Sequence, residues 1–504
     1  AKIQSLKEEL ENFKENDNEN SKRIFIIYGY GCLIKQLRSY YDIKVYIDMT
    51  PLRVIWKVRK DSYKNIGDDG SYNRPLKEKL RRCYYIDFEC ALKLRKELWK
   101  ENVPDLYIVG DGTCVIKTEI DGYDKVNEMR AMPWSTFCQI MSTLVKYPFR
   151  CKPVYLEGVW GGTYIKRLRH LPEGMENCAW VFDLIPMEVS ILVDVEKTLI
   201  DFPFYSFVQK EGEAMMGKEC VEKFGGYFPI RFNYDDTFHG SGNMSIQVHP
   251  DEEYIKKNFN EHGRQDESYY VVVAGHGAKT YLGFKNDANF EEFISEIKES
   301  EVSFKKVDHD NYVNSIPSKP GMQFMIPAGT IHASGRNQLV LEIGSLTVGS
   351  YTFKLYDYLR PDLDGIPRPI HTYHGERVLK KERRADWVSE NIAQSPRTVR
   401  QGDGWQESIV GEHDLLYFSL RTFEFEKEIE DCTNGRFHVL TLVDGEKVRI
   451  ESIDNPHYSR EQEYLEVVVV PASIGRYRVV NLGNQPVVMH KTMLKDGFNV
   501  EDKL

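Results

Sequence analysis

The 504 residues contain no apolar run of membrane-spanning length, and no charged-then-apolar stretch of the secretory type opens them. A membrane partner is therefore not expected, and the Asn243-Met244-Ser245 acceptor pattern is read as chance. Cysteine is sparse and unpatterned. Its nine positions form no C-x-x-C pair, which argues against a disulfide framework and suits a reducing cytoplasm. Positive charge is short as well: 67 Lys and Arg face 77 Asp and Glu, a net of −10. Nucleic-acid binding needs a basic face and is not expected, whereas one local basic pocket suffices for an anionic small substrate. An intact phosphate loop is also missing. Gly275-His276-Gly277-Ala278-Lys279-Thr280 lacks the Gly-Lys adjacency and reads as a hairpin turn. Gly29-Tyr30-Gly31 reads as a plain strand-to-helix turn. The chain opens on Ala1 rather than Met, as a trimmed N-terminus would.

A chain of this length is too long for one core. Ile3, Leu6, Leu10 and Phe13 recur at helical spacing, and residues 16–22 are polar and loop-like. From 23 to about 149, strands expected at 24–28, 45–47 and 106–109 alternate with helices near 33–40 and 134–145, which predicts a small α/β domain. Beyond 149 the pattern changes to short β-branched and aromatic runs at 269–273, 323–326, 339–343, 350–356, 437–443, 464–470 and 477–480. Regular short strands of this kind predict sandwiches or barrels, here with helical insertions near 251–259, 289–300 and 375–392. The last carries Lys380-Lys381-Glu382-Arg383-Arg384, expected to be a solvated helix face.

Four polar residues stand out within this β-rich part. Gln247 and His249 are two apart in a strand ended by Pro250, so both side chains reach one face. Glu267 follows eighteen positions after His249, room enough for the helix near 251–259 and a return. His332 closes Gly321-Met322-Gln323-Phe324-Met325-Ile326-Pro327-Ala328-Gly329-Thr330-Ile331-His332. That string resembles the second signature of the cupin superfamily, and Gly242 through Gln247-Val248-His249 to Glu267 and Gly275 resembles a stretched first signature. The resemblance implies a jelly-roll barrel with Gln247, His249, Glu267 and His332 as the ligands of one divalent ion.

Further strings narrow the family. Phe228-Pro229-Ile230, Met244-Ser245-Ile246-Gln247-Val248-His249-Pro250, Ile326-Pro327-Ala328-Gly329-Thr330-Ile331-His332-Ala333 and Leu341-Glu342-Ile343 closely resemble class I mannose-6-phosphate isomerases, as does Val159-Trp160-Gly161-Gly162. The likeness runs from about Cys151 to the C-terminus. It implies one Zn2+ per chain, a phosphosugar substrate, and interconversion of mannose 6-phosphate and fructose 6-phosphate. An amide, a carboxylate and two imidazoles suit a non-redox Lewis acid, which disfavours an iron oxygenase. By resemblance Glu342 is the acid/base. Lys354 stands where the family has an arginine that faces the substrate, Arg360 is the second basic residue, and Ser245 contacts phosphate. A family lysine is Asn233 here, with Arg231 on the same strand face as a stand-in, and another lysine is Gln265. These departures keep open a catalytically weak sugar-phosphate-binding protein, or an isomerase of another phosphosugar.

The expected architecture is mainly β with α insertions: an α/β accessory domain over 1–149, a metal-binding cupin over 150–403, and a second cupin over 404–504. In that second repeat Pro471-Ala472-Ser473-Ile474-Gly475-Arg476-Tyr477 offers no histidine at the place of His332, so it is expected to lack metal. His438 reads there as an ordinary strand residue. The N-terminal 150 residues faintly resemble a kinase-like domain found ahead of some longer isomerases, with a structural or interaction role as the default.

Overall fold

The computed structural model describes residues 2–15, 24–68, 70, 73–111, 113–118, 122–126, 130–195, 197–261, 263–346, 351–361 and 365–498. The expected loop over 16–22 lies outside them. Contacts divide the chain into two compact units, 1–143 with 190–211, and 144–189 with 212–504.

In the first unit, Val45–Asp48 pairs in parallel with Leu106–Val109, and Arg130–Pro133 adds an antiparallel edge. A parallel pair requires a crossover, supplied by the helices Pro51–Arg59, Leu76–Arg82 and Phe88–Lys100. Thr50 caps the first of these, its side chain accepting from Arg53 N, with Pro51 at the first helical position. Residues 24–28, expected as a strand, form none. Ile24, Ile26 and Tyr28 are 87%, 79% and 89% exposed, because the run has no sheet edge to pair with. The expected helix near 33–40 is reduced to the 3-10 turn Arg38–Tyr40.

The expected boundary at 149/150 is crossed again further along. Thr198–Pro203 pairs with Thr113–Thr118 and with Ser190–Val195, completing a four-stranded sheet of the first unit. Phe202 anchors it, with its ring 5.8 Å from Tyr107 and 5.9 Å from Phe137.

The second unit is mostly strand. Ile230–Asp236 (β1), Ile246–Val248 (β2), Glu267–Ala274 (β3), His332–Ser334 (β4), Gln338–Ser345 (β5) and Phe353–Tyr356 (β6) form its functional centre. β3, β5 and β1 are consecutive in a six-stranded sheet, and β4, β2 and β6 in a five-stranded one. Residues 275–278 are not a hairpin turn: they carry the chain from β3 in the first sheet to Lys279–Phe284 in the second. The insertions begin as the sequence predicts, with Asp251 capping Glu252–Phe259 and Asn289 capping Phe290–Ser303.

The helix expected over 375–392 is instead two, Thr372–Val378 and Ala385–Asn391. The basic run between them is not a helix face, and it is only partly solvated: Lys381 and Glu382 are exposed while Arg383 turns inward. Arg383 is 8% exposed, and its Nη1 donates to the carbonyls of Pro327 at 2.8 Å and Ala328 at 2.7 Å, and to Thr330 Oγ1 at 2.6 Å. A buried guanidinium needs such acceptors, and turning inward to reach them breaks the helix.

Toward the C-terminus, Phe418–Phe425 (β7), His438–Asp444 (β8) and Val487–Leu494 (β9) occupy the middle of another six-stranded sheet in the order β7-β9-β8. It shares a core that includes Phe423, Leu440, Val468 and Met489 with Ile429, Ile450 and Val479 of a four-stranded sheet. Fully burying each such side chain contributes about 1.5–3 kcal/mol.

Candidate metal centre

β2 and β4 are antiparallel neighbours with Gln247 opposite His332, so their side chains share one face. Glu267 opens β3 on the other sheet. His249 follows β2 directly, its carbonyl held at 2.8 Å by Gly329 N of the turn that precedes His332. These elements bring one donor atom each from His249, Glu267 and His332 within 4.8 Å of one another, all buried. Gln247 Nε2 lies 3.4 Å from His332 Nε2 and its Oε1 accepts from Ser245 Oγ at 3.1 Å, so its amide borders the same point.

The imidazoles are oriented from behind. His249 Nδ1 lies 3.1 Å from the carbonyl of Tyr351, and His332 Nδ1 lies 2.9 Å from that of Thr330. A carbonyl only accepts, so both Nδ1 atoms carry the proton and both Nε2 atoms present lone pairs. Those lone pairs face Glu267 Oε2, at 3.0 Å from His249 and 3.3 Å from His332. His249 Nε2 and Glu267 Oε2 are buried without a hydrogen-bond partner. Acceptors converging with no proton between them are the signature of a cation site, and the donor set fits a divalent ion. Burial alone would raise Glu267, but the cationic side of its surroundings, Arg231 at Oε1, holds its carboxyl well below the usual range. Burial likewise lowers His249, which favours the neutral, ligating form.

Behind Glu267 a row runs across three strands, Arg231 on β1, Gly344 on β5 and Glu267 on β3, each opposite the next. Arg231 Nη2 reaches Glu267 Oε1 at 2.5 Å by passing over the glycine, where an added Cβ would sit 2.5 Å from Arg231 Nε. Gln265 donates to the same Oε1 at 3.0 Å and accepts from Tyr351 N at 2.7 Å, so it steadies the carboxylate. The next row is Asn233, Glu342 and Tyr269. Burial, with the charges of Glu267 and Asp235, pushes Glu342 well above the carboxylate range against the pull of Arg231. Burial first, and the nearby Glu267, push Asp235 up to about 7, while Asn233 Nδ2 donates to its Oδ1 at 3.2 Å. Asp235 and Tyr269 were not anticipated from sequence. Alternation from Arg231 through Asn233 to Asp235 on one strand face was the available signal.

Of the other expected site residues, Lys354 lies opposite Gln247 on β6 and shares its face. Ser245 is bonded to Gln247. Arg360 is committed elsewhere: its Nη2 donates to Asp357, Nη1 to the carbonyl of Asn243 at 2.6 Å, and the guanidinium stacks on Tyr358 at 4.9 Å.

A family model described as a domain of unknown function (DUF8485) matches residues 4–109. The mannose-6-phosphate isomerase ManA of Bacillus subtilis (strain 168) is 28% identical over 242 residues, 46% of this chain and 68% of the relative. The chain is a relative of the mannose-6-phosphate isomerases. The fold agrees with this isomerase-like assignment. A crystal structure of the Bacillus subtilis mannose 6-phosphate isomerase matches 69% of this chain and 99% of its own, with TM-score 0.53 at 20% identity. A variant of the Salmonella typhimurium phosphomannose isomerase matches 69% and 100%, with TM-score 0.51 at 12% identity.

Proposed function

We propose that the second unit is a zinc-dependent aldose–ketose isomerase that interconverts mannose 6-phosphate and fructose 6-phosphate in the cytoplasm. The observation that carries this reading is the pair His249 Nε2 and Glu267 Oε2, buried 3.0 Å apart with neither atom hydrogen-bonded, on a chain related to isomerases of that name. Gln247, His249, Glu267 and His332 would hold the ion, which when bound supplies a Lewis acid for a substrate oxygen. Residues 150–403 apart from the 190–211 excursion would form the metal-binding cupin, 404–504 a second cupin, and 1–149 an accessory module.

Isomerisation moves a proton between adjacent sugar carbons, so it needs a group able both to give and to take one near neutral pH. Glu342 suits that role, since its surroundings favour the protonated carboxyl while Arg231, 3.6 Å away, stands close enough to hold the ionised form in place. Lys354, on the face of Gln247, would meet the charge of the phosphate or of the enediolate as a point cation. Ser245 would contact phosphate after exchanging its bond to Gln247. Arg231 would orient Glu267, and Arg360 would brace the end of β6.

A specific observation favours a second reading, a weakly active sugar-phosphate binder: both arginines expected to meet substrate are already bonded to carboxylates. Metal analysis with a coupled assay of fructose 6-phosphate formation separates the two. The isomerase reading expects about one zinc per chain, turnover abolished by Lys354→Met at unchanged zinc, and turnover kept or raised by Lys354→Arg. Undetectable wild-type turnover with recovery in Lys354→Arg would favour the binder. Equal rates in all three proteins would remove Lys354 from the site.

A further inference from the structure

The C-terminal sandwich contains a cavity of about 710 Å3 that the isomerase reading leaves unused. That volume suits a small organic ligand and far exceeds what an inorganic anion fills. Five cationic side chains and four carboxylates line it. At its floor three cations enclose two carboxylates. Lys491, 2% exposed, lies 2.8 Å from Glu407 and 2.6 Å from Asp431, and Arg400 and Arg421 complete the pairing of these carboxylates.

Two features remain unmatched. His438, 1% exposed, lies with Nδ1 2.8 Å from Tyr477 Oη, and that hydroxyl donates to Asp431 Oδ2 at 2.9 Å. The imidazole therefore carries its proton on Nδ1, and its Nε2, a bare lone pair, has no partner. At the rim, Arg476 is exposed and makes no side-chain bond among the described residues, while Arg436 is paired with Asp496, whose side chain is 94% exposed. The Arg436 side chain is 15% exposed and its Nη1 also donates to the carbonyl of Leu494 at 3.3 Å, but its Asp496 partner is open to water, so an anion in the cavity can replace that carboxylate on Nη2.

We propose that this cavity binds a small anionic polyol, its phosphate or carboxylate held by Arg436 and Arg476 and one hydroxyl donating to His438 Nε2. Guanidinium forks match either anion in bidentate fashion. The floor carboxylates are already paired, and the one acceptor left without a donor, His438 Nε2, calls for a hydroxyl there. The ligand class is thus a sugar phosphate or a sugar acid, and the site is independent of the metal centre.

Isothermal titration of the full chain with glucose 6-phosphate, gluconate, inorganic phosphate and sorbitol tests this, with Arg436→Gln/Arg476→Gln beside wild type. The expected result is a binding event for at least one anionic polyol, at least tenfold tighter than for phosphate or sorbitol and weakened at least tenfold in the double variant. Which of the two polyols binds distinguishes phosphate from carboxylate. Turnover of mannose 6-phosphate should be equal in both proteins. If the double variant melts early, Arg476→Gln alone carries the test, because that side chain has no partner to lose. Identical heats in wild type and variant, no heat with either anionic polyol, or phosphate binding as tightly as both would overturn the proposal.

Discussion

In the metal-centre sandwich, the central strand β5 carries Glu342 opposite Tyr269 of β3 and Asn233 of β1. In the C-terminal sandwich, the central strand β9 carries Lys491 opposite Leu440 of β8 and Arg421 of β7. The sheets share their order, and the register matches too. Glu342 faces the third residue of β3, and Lys491 faces the third residue of β8. One position thus holds a carboxylate in the first sandwich and an ammonium in the second. The first collects Glu267, Glu342 and Asp235 with one arginine and two neutral imidazoles, and leaves acceptors facing each other. The second holds Glu407 and Asp431 around its own Lys491. A buried carboxylate cluster needs cations, and the two sandwiches differ in how fully the chain supplies them.

The largest expected effect comes from removing a ligand. His332→Ala or His249→Ala should take the protein from about one zinc per chain to almost none by elemental analysis, with turnover lost, since affinity rests on the whole donor set. Retention of stoichiometric metal in both variants would end the comparison. Chelation should lower the melting temperature of wild type and leave that of the ligand variants unmoved.

Removing the built-in cation is the mirror experiment. Lys491→Met leaves Glu407 and Asp431 to Arg400 and Arg421 alone, and should destabilise the C-terminal sandwich in denaturant unfolding by at most about 3–5 kcal/mol, the cost of a fully unpaired buried charge, with zinc content unchanged. Adding Glu407→Gln and Asp431→Asn should recover most of that loss. No recovery would mean that shape rather than charge balance makes Lys491 necessary.

A smaller effect follows from pH. Burial, and then the Lys491 charge, lower His438 to about 4 despite the carboxylates of Asp431 and Glu407, with the Tyr477 hydroxyl against its Nδ1. An unfolded histidine titrates near 6.5, so the unfolded chain binds the proton first as pH falls. Stability from the neutral imidazole is complete above about 6.5 and is lost toward pH 4, by about 3 kcal/mol. Unfolding curves across that window should show the slope, and His438→Gln should reduce it, the remainder belonging to buried His490, lowered to about 3. An unchanged slope would place the titrating group elsewhere.

The smallest effect sharpens the metal centre. Gly344→Ala puts a methyl where the Arg231 side chain crosses to Glu267, and should weaken zinc affinity and turnover about tenfold, the lower end for an outer-shell partner. Wild-type zinc affinity in this variant would show that Arg231 is not needed to orient Glu267.

The candidate donors were legible in sequence because the motifs that present them are compact: Gln247 and His249 in one strand, His332 behind its Pro-x-Gly turn. The row linking Arg231, Gly344 and Glu267 was not, since strand register joins residues over a hundred positions apart. Lys491 was invisible for the same reason, as its partners Glu407 and Asp431 come from other strands. Residues 24–28 misled because β-branched composition states a preference without supplying a sheet edge. Arg383 misled because a charge run is usually solvated, and only the turn before His332 explains its burial.

The strand pair 190–203 has a consequence for how the molecule is made and cut. Because it completes a sheet begun at 113–118, the backbone passes between the two units three times, near 143/144, 189/190 and 211/212. The first unit cannot close until synthesis has passed residue 203, by which time strands of the second have already emerged. A single proteolytic nick near residue 144 would sever 1–143 from the strands at 190–203 that complete its sheet, so release of a free N-terminal fragment would require that sheet to come apart.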